Sequence, residues 1–121
     1  MDANSKRQTI LVVYDDPAMR EYASAILEDS GYNVVQEPDG VAALVLLQDN
    51  DQIDLLFIGT VIPGIDAIEL ARRARRQNPR LKVLFASGRF REDDLEPTDR
   101  VLRMPFSPRQ LAEAIADTLV N

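Results

Sequence analysis

Two adjacent carboxylates, Asp15 and Asp16, are the first side chains along the sequence that could do chemistry. They directly follow residues 9–14 (T-I-L-V-V-Y), an apolar run that predicts a buried strand. Neighbouring carboxylates at a strand end can hold a hard cation such as Mg²⁺ through their oxygens. Asp16 also precedes Pro17, an order typical of a helix N-cap and its first helical residue. Two interpretations stay open here: a metal-binding pair, or a cap beside a solvated acid.

Gly59 closes a second apolar run, residues 55–58 (L-L-F-I), which has no helical period. Such a run predicts a strand buried on both faces, as in a parallel sheet covered by helices. In open α/β sheets, ligands bind beyond the carboxyl ends of the strands, so Gly59 and Asp15 are expected to border one crevice. A glycine contributes no side chain to the chemistry of that crevice.

Hydroxyl groups are the other candidates for this crevice. Ser87 follows residues 81–86, the fourth predicted strand, and can hydrogen-bond a phosphoryl oxygen or start a turn with Gly88. Thr60 follows Gly59 directly. The sequence contains neither a G-x-G-x-x-G nor a G-K-[ST] loop, the patterns that cradle phosphates in nucleotide-binding α/β folds.

The composition excludes several classes of function. The 121 residues include no cysteine and no histidine, which removes thiol nucleophiles, thiolate metal sites and the commonest general base. A formal net charge of −6 disfavours direct binding to nucleic acid or to a membrane surface and favours a protein partner. No apolar run is long enough for a membrane span or a signal peptide, so the protein is expected to be cytoplasmic.

The chain is long enough for one domain, expected over residues 9–121 after a flexible tail of residues 1–8. Apolar periodicity and turn residues predict five strands alternating with helices, (βα)5, joined by right-handed crossovers. The last helix is expected to begin with a capping box, Ser107 with Gln110. The buried side of the second helix is predicted to consist of Val41, Leu44, Val45 and Gln48.

Four arginines, Arg72, Arg73, Arg75 and Arg76, lie on the predicted third helix. Neighbouring helical positions point in different directions, and Glu69 can pair with Arg73 at i+4. The run is therefore interpreted as a solvated helix surface rather than as a nucleic-acid site.

Taken together, these segments resemble the receiver domain of two-component response regulators. The resemblance rests on I-L-V-V-Y-D-D-P-A-M-R, G-Y-N-V-V, D-G-V-A-A-L, D-L-L-F-I-G-T-V-I-P-G-I-D-A-I-E-L, V-L-F-A-S-G and M-P-F-S-P-R-Q-L, and it covers residues 9–119. It implies an α/β, three-layer, doubly wound, flavodoxin-like fold with the parallel strand order 2-1-3-4-5. The stretch between Ser87 and Val101 is shorter than in typical members, which implies a short or irregular fourth helix.

The resemblance also implies a phosphorylation site, in which an aspartate at the end of the third strand takes phosphate from a histidine kinase. That acceptor falls on Gly59, and the hydroxyl that binds the phosphoryl group falls on Ser87. The two acids that help to hold Mg²⁺ fall on Tyr14 and Asp15, which leaves Asp16 one place beyond the pair.

Farther along the chain, the lysine of the family falls on Met104 and its aromatic switch residue on Val101. The peptide bond between Met104 and Pro105 is expected to be cis, as at this place in the family. Without the acceptor and the lysine the site is interpreted as degenerate, with Asp15 left to bind Mg²⁺ weakly or not at all. Three altered positions also argue against Gly59 being one engineered substitution.

The leading interpretation is a pseudo-receiver, a signalling module that acts through phosphorylation-independent contacts with a signalling protein or with itself. It is expected to be no enzyme and to need no cofactor, and Tyr14 and Met104 are expected to cover the strand ends through apolar contact. One alternative is a small-ligand-binding module that uses the same crevice. A substitute acceptor, Thr60 or Asp54, is disfavoured, because strand alternation points Thr60 away from the face of Gly59.

Overall fold

The computed structural model describes residues 7–59, 64–87 and 99–120, and of Ser87 only the backbone. Its strands and helices are β1 Thr9–Val13, α1 Pro17–Asp29, β2 Asn33–Glu37, α2 Gly40–Gln48, β3 Leu55–Gly59, α3 Ala67–Gln77, β4 Lys82–Ser87, β5 Arg100–Arg103 and α4 Pro108–Val120. They alternate as predicted from β1 to β4, and a last strand and helix follow residues 88–98. The predicted short fourth helix falls within residues 88–98, and most of the predicted tail within residues 1–6, both outside the described residues. No helix of the described residues is long and apolar enough to cross a membrane.

Five parallel strands form one sheet in the order β2-β1-β3-β4-β5, which confirms the predicted topology. β3 lies at the centre, paired with β1 on one side and with β4 on the other. All five of its residues are buried. The unbroken apolar run in the sequence follows from this position, because a central strand covered by helices on both faces has no side in water.

The side chains of β3 alternate between two hydrophobic cores, one on each face of the sheet. Leu56 and Ile58 pack with α2 and α3, whereas Leu55 and Phe57 pack with α1 and α4. The result is three layers, helices on both sides of a parallel sheet, which is the predicted flavodoxin-like architecture.

Side-chain caps start the helices at the predicted places. The Oδ1 atom of Asp16 accepts a hydrogen bond from the N–H of Ala18 at 3.0 Å, ahead of α1. At α4 the capping box is reciprocal: the N–H of Ser107 donates to Oε1 of Gln110 at 2.8 Å, and the N–H of Gln110 donates to Oγ of Ser107 at 3.1 Å. These contacts satisfy backbone donors that have no partner within the helix.

The predicted buried face of α2 is wrong for three of its four residues, since of these only Leu44 packs against the core. The structure buries a different set of its residues: Gly40, Ala43 and Leu47. Val41 and Val45 are instead 54% and 56% exposed, Gln48 is exposed and Leu44 is half-buried. The sequence of α2, G-V-A-A-L-V-L-L-Q, is apolar on every side, so its period cannot select the buried face. Glycine and alanine, which let the helix approach the sheet closely, take the inner side.

Candidate functional site

The carboxyl ends of β1 and β3 lie side by side, because Val13 and Ile58 are partners in the sheet. The next residues along the two strands are Tyr14 and Gly59, which meet at the edge where the site was predicted. A Cβ atom on Gly59 would lie 3.1 Å from Cε1 of Tyr14 and 3.3 Å from both Cδ1 and Cζ. The ring of Tyr14 therefore fills the space into which a larger side chain at position 59 would extend.

Several contacts hold Tyr14 in this place. The residue is only 6% exposed, and its ring centre lies 6.0 Å from that of Phe57. Its hydroxyl donates a hydrogen bond to Sδ of Met104 at 3.3 Å, and its carbonyl accepts one from Nη1 of Arg20 at 2.7 Å. Tyr14 and Met104 thus meet at the strand ends, and a hydrogen bond joins them, which the sequence did not predict.

Burial raises the pKa of the Tyr14 phenol to about 12, and the negative charges of Asp15 and Asp16 add to this effect. At neutral pH the phenol is therefore protonated, and its hydroxyl stays a hydrogen-bond donor to Met104. A protonated phenol is a weak nucleophile unless a neighbouring base takes its proton. Tyr14 thus covers this edge of the sheet and supplies no reactive oxygen there.

The two carboxylates that follow Tyr14 are both exposed. Asp16 uses its side chain to cap α1, which favours the capping interpretation for that residue. Within residues 7–59, 64–87 and 99–120, no group of three acidic, histidine or cysteine side chains is placed to hold a metal ion. The weak Mg²⁺ binding predicted for Asp15 stays a prediction.

Two further predicted site residues, Ser87 and Met104, lie at the carboxyl ends of β4 and β5. Met104 follows β5, is 36% exposed, and its peptide bond to Pro105 is cis. The backbone of Ser87 pairs with Arg103 at the end of β4. The Ser87 side chain and the whole of Thr60 lie outside the part of the chain that the structure describes.

Sequence reasoning missed an aromatic column that joins this edge to the surface of α1. From Tyr14 it continues through Phe57 to Phe106, whose ring centres are 6.1 Å apart, and then to Tyr22 on α1 at 6.2 Å. These rings come from separate segments, so no local periodicity links them. The pairing of Tyr14 with Gly59 did have a signal, since a large residue and a glycine follow two strands that the predicted topology makes neighbours.

A depression of about 550 Å³ lies at the opposite end of the sheet, where α2 and α3 end. Its lining is mostly polar and comprises Leu47, Gln48, Asp49, Asn50, Asp51, Gln77 and Asn78. A molecule bound there would not contact Tyr14 or Gly59. The depression therefore gives no support to the predicted ligand-binding crevice between β1 and β3, and that alternative stays a prediction.

The family model of the response regulator receiver domain matches residues 10–116. This chain belongs to that family. The receiver domain is thus a part of two-component signalling. Among its relatives, the response regulator receiver protein CpdR of Brucella abortus (strain 2308) is 37% identical over 116 residues, which is 92% of this chain and 96% of CpdR. The sensor kinase CckA of the same organism is 32% identical, but the matched part is only 12% of that protein.

Solved structures agree with this assignment. The receiver domain of the hybrid histidine kinase CckA is similar to the chain with a TM-score of 0.81 and 34% identity, covering 92% of this chain and 98% of that domain. A response regulator receiver protein from Sinorhizobium medicae WSM419 gives a TM-score of 0.88 at 24% identity, covering 95% of this chain and 96% of that one. The second likeness supports the fold alone.

Proposed function

We propose that this receiver domain is a pseudo-receiver, which signals through protein contacts and does not pass through a phosphorylated state. One observation carries the proposal: the ring of Tyr14 lies against Gly59, the residue onto which the resemblance places the phosphoryl acceptor. A Cβ atom there would already lie 3.1 Å from the ring, so an acceptor carboxylate would need the space that Tyr14 fills.

The groups around Gly59 support the same conclusion. Phosphoryl transfer needs an oxygen nucleophile and cations that neutralise the charge on the phosphoryl oxygens. The resemblance places a lysine at Met104 and an acid at Tyr14, and these two side chains bond to each other instead. Asp15 alone is a poor ligand set for Mg²⁺, which is usually bound by carboxylates together with phosphates. The domain is therefore proposed to catalyse no reaction and to need no cofactor, and to act in the cytoplasm on a signalling protein or on another copy of itself.

Intact-mass spectrometry after incubation with acetyl phosphate and Mg²⁺ tests this proposal. The wild-type protein is expected to gain no phosphoryl group that hydroxylamine removes, because no carboxylate stands at position 59. A three-site variant, Tyr14→Asp with Gly59→Asp and Met104→Lys, is the matched control, since it carries the groups of the family site and is expected to gain one. A hydroxylamine-labile phosphoryl group on the wild type would refute the proposal.

A further inference from the structure

The outer side of α2 is apolar and exposed. None of the nine residues of α2 carries a charge, and Val41 and Val45, one helical turn apart, are both more than half exposed. A helix that is apolar on all sides is normally buried on all sides. Two exposed valines one turn apart on an uncharged helix form a small apolar strip, which is open to contact with another protein.

Exposed arginines lie on α3, the helix that packs next to α2. α2 and α3 share one core, and Arg72, Arg73 and Arg76 are exposed on the outer side of α3. Glu69 accepts a hydrogen bond from Nε of Arg73 at 2.9 Å and lies 3.9 Å from Arg72. The hydrogen bond from Arg73 is the main cause that lowers the pKa of Glu69, and the charges of all three arginines contribute. A single carboxylate cannot neutralise three guanidinium groups, so the outer side of α3 is positive. The name α2–α3 surface is used below for five exposed residues: Val41, Val45, Arg72, Arg73 and Arg76.

The outer side of α1 has the complementary character. Besides Pro17 and Tyr22, its exposed residues are two alanines and three acids. These five are called the α1 surface below: Ala18, Glu21, Ala25, Glu28 and Asp29. The arginine of this helix, Arg20, is half-buried and donates to the carbonyl of Tyr14. The α1 surface therefore combines small apolar residues with negative charge, and the α2–α3 surface combines exposed valines with positive charge.

We propose that the α2–α3 surface of one copy binds the α1 surface of a second copy of this chain. In that contact the valines face the alanines, and the arginines face Glu21, Glu28 and Asp29. Because α1 packs on the opposite face of the sheet from α2 and α3, the two surfaces of one copy cannot meet each other. The contact is then heterologous, and each copy can bind a further copy at either side, which builds short chains. This inference rests on the proposed function, since it identifies the partner of the pseudo-receiver.

Sedimentation velocity over a concentration series at two salt levels is the first measurement. At about 50 mM salt and up to about 1 mM protein, the average mass of the wild type is expected to rise with concentration. At about 500 mM salt, screening shortens the reach of exposed charges, and the association constant is expected to fall at least about tenfold. A wild type that remains monomeric at low salt would overturn the proposal and leave this surface to a different acidic partner or to solvent.

Charge-reversal variants then locate the contact. Arg73→Glu with Arg76→Glu, and separately Glu21→Lys with Glu28→Lys, are each expected to stay monomeric at low salt. Mixing these two variants is expected to restore association, since one still has the native α1 surface and the other the native α2–α3 surface. The matched control for the arginine variant, Arg100→Glu with Arg109→Glu, makes the same change in net charge on exposed residues elsewhere. It is expected to associate like the wild type. Equal loss in this control, or a mixture that stays monomeric, would contradict the assigned surfaces.

The same samples separate this inference from the proposed function. A protein that gains a phosphoryl group yet associates as described would refute the pseudo-receiver and leave the contact standing. A protein that gains none and never associates would refute the contact alone.

Discussion

At the level of single residues, Gly59 and Tyr14 occupy one space between them. The glycine leaves room at the end of β3, and the ring from the end of β1 fills it. The hydroxyl of Tyr14 donates a hydrogen bond to Met104, and the ring makes a tilted contact with Phe57. The position of the Tyr14 ring depends on the glycine, because any larger residue at position 59 would force the ring to move.

Replacing Gly59 by alanine tests this shared space. The new Cβ atom would lie 3.1 Å from Cε1 of Tyr14, and we expect a loss of about 1–3 kcal/mol in the free energy of unfolding from the forced shift. In a Tyr14→Ala background, which is itself destabilised, the same substitution should lower the free energy of unfolding much less. In a Tyr14→Phe background, which keeps the ring, the full loss of unfolding free energy should remain. Urea melts of the three single and two double variants measure this coupling. A loss from Gly59→Ala that is the same in all backgrounds would show that the two residues do not share the space.

The ionisation of Tyr14 gives a second prediction at this scale. Its pKa rises from an ordinary value of 10.0 to about 12 on folding, so the folded state favours the protonated phenol. The resulting stability is fully present below about pH 10, declines as the pH rises through about 12, and amounts to about 2–3 kcal/mol at most.

The Tyr14→Phe variant isolates this contribution, because it keeps the ring and has no proton to lose. We expect the difference in unfolding free energy between wild type and variant to shrink by that amount as the pH is raised. Absorbance titration of the wild type should also show one phenol that ionises near pH 12. If the variant still shows a phenol ionising near pH 12, that ionisation belongs to another tyrosine.

At the level of elements, α2 shows where sequence patterns are sufficient and where they are not. The starts of α1 and α4 were predicted correctly from their capping residues, because a cap is a contact between residues two or three positions apart in the sequence. The buried face of α2 was wrong because an all-apolar helix has no polar side to turn outward. Packing against the sheet decided it, and that information lies in other elements.

The corrected face of α2 predicts unequal effects of two similar truncations. Leu47→Ala removes a side chain that is 7% exposed and should lower the free energy of unfolding by about 2–4 kcal/mol, since it leaves a cavity in the core. Val45→Ala removes exposed carbon only and should change it by less than about 0.5 kcal/mol. Thermal and urea unfolding at high salt, where self-association is screened, compare the two. A larger effect at Val45 would restore the face predicted from the sequence.

The site was predictable in its composition and not in its contacts. The resemblance assigned Tyr14, Gly59 and Met104 to one edge of the sheet, because the positions of the strand ends follow from the topology. That the ring of Tyr14 lies on Gly59 and bonds to Met104 depends on side-chain rotamers, which a pattern of residue types does not specify. The column from Phe57 to Tyr22 was missed for the same reason.

At the scale of the whole molecule, the charges are divided between two parts of the chain. Residues 7–59 contain ten acidic and two basic residues, and residues 64–87 contain two acidic and six basic ones. The first group forms β1, α1, β2, α2 and the central strand β3, and the second forms α3 and β4. The net charge of −6 therefore conceals a basic side, which is why the composition alone did not suggest the α2–α3 surface.

The response of the whole fold to Mg²⁺ gives the last prediction. A ligand that binds only the folded state raises the free energy of unfolding, by about 2.7 kcal/mol at a hundred times its dissociation constant. We expect no such gain for the wild type, in which Asp15 is without a carboxylate at position 59. The three-site variant, Tyr14→Asp with Gly59→Asp and Met104→Lys, should gain stability from Mg²⁺, because three acids are then placed around one cation and the ring no longer occupies their space. Gly59→Asp alone should be the least stable of the three proteins, since its carboxylate would meet the ring of Tyr14 and have no lysine nearby.

Urea melts with Mg²⁺, compared with melts in NaCl at equal ionic strength, separate specific binding of Mg²⁺ from charge screening. A wild type that Mg²⁺ stabilises as strongly as the three-site variant would mean that the edge of the sheet still holds a metal ion, and that Tyr14 covers a working site rather than replacing one.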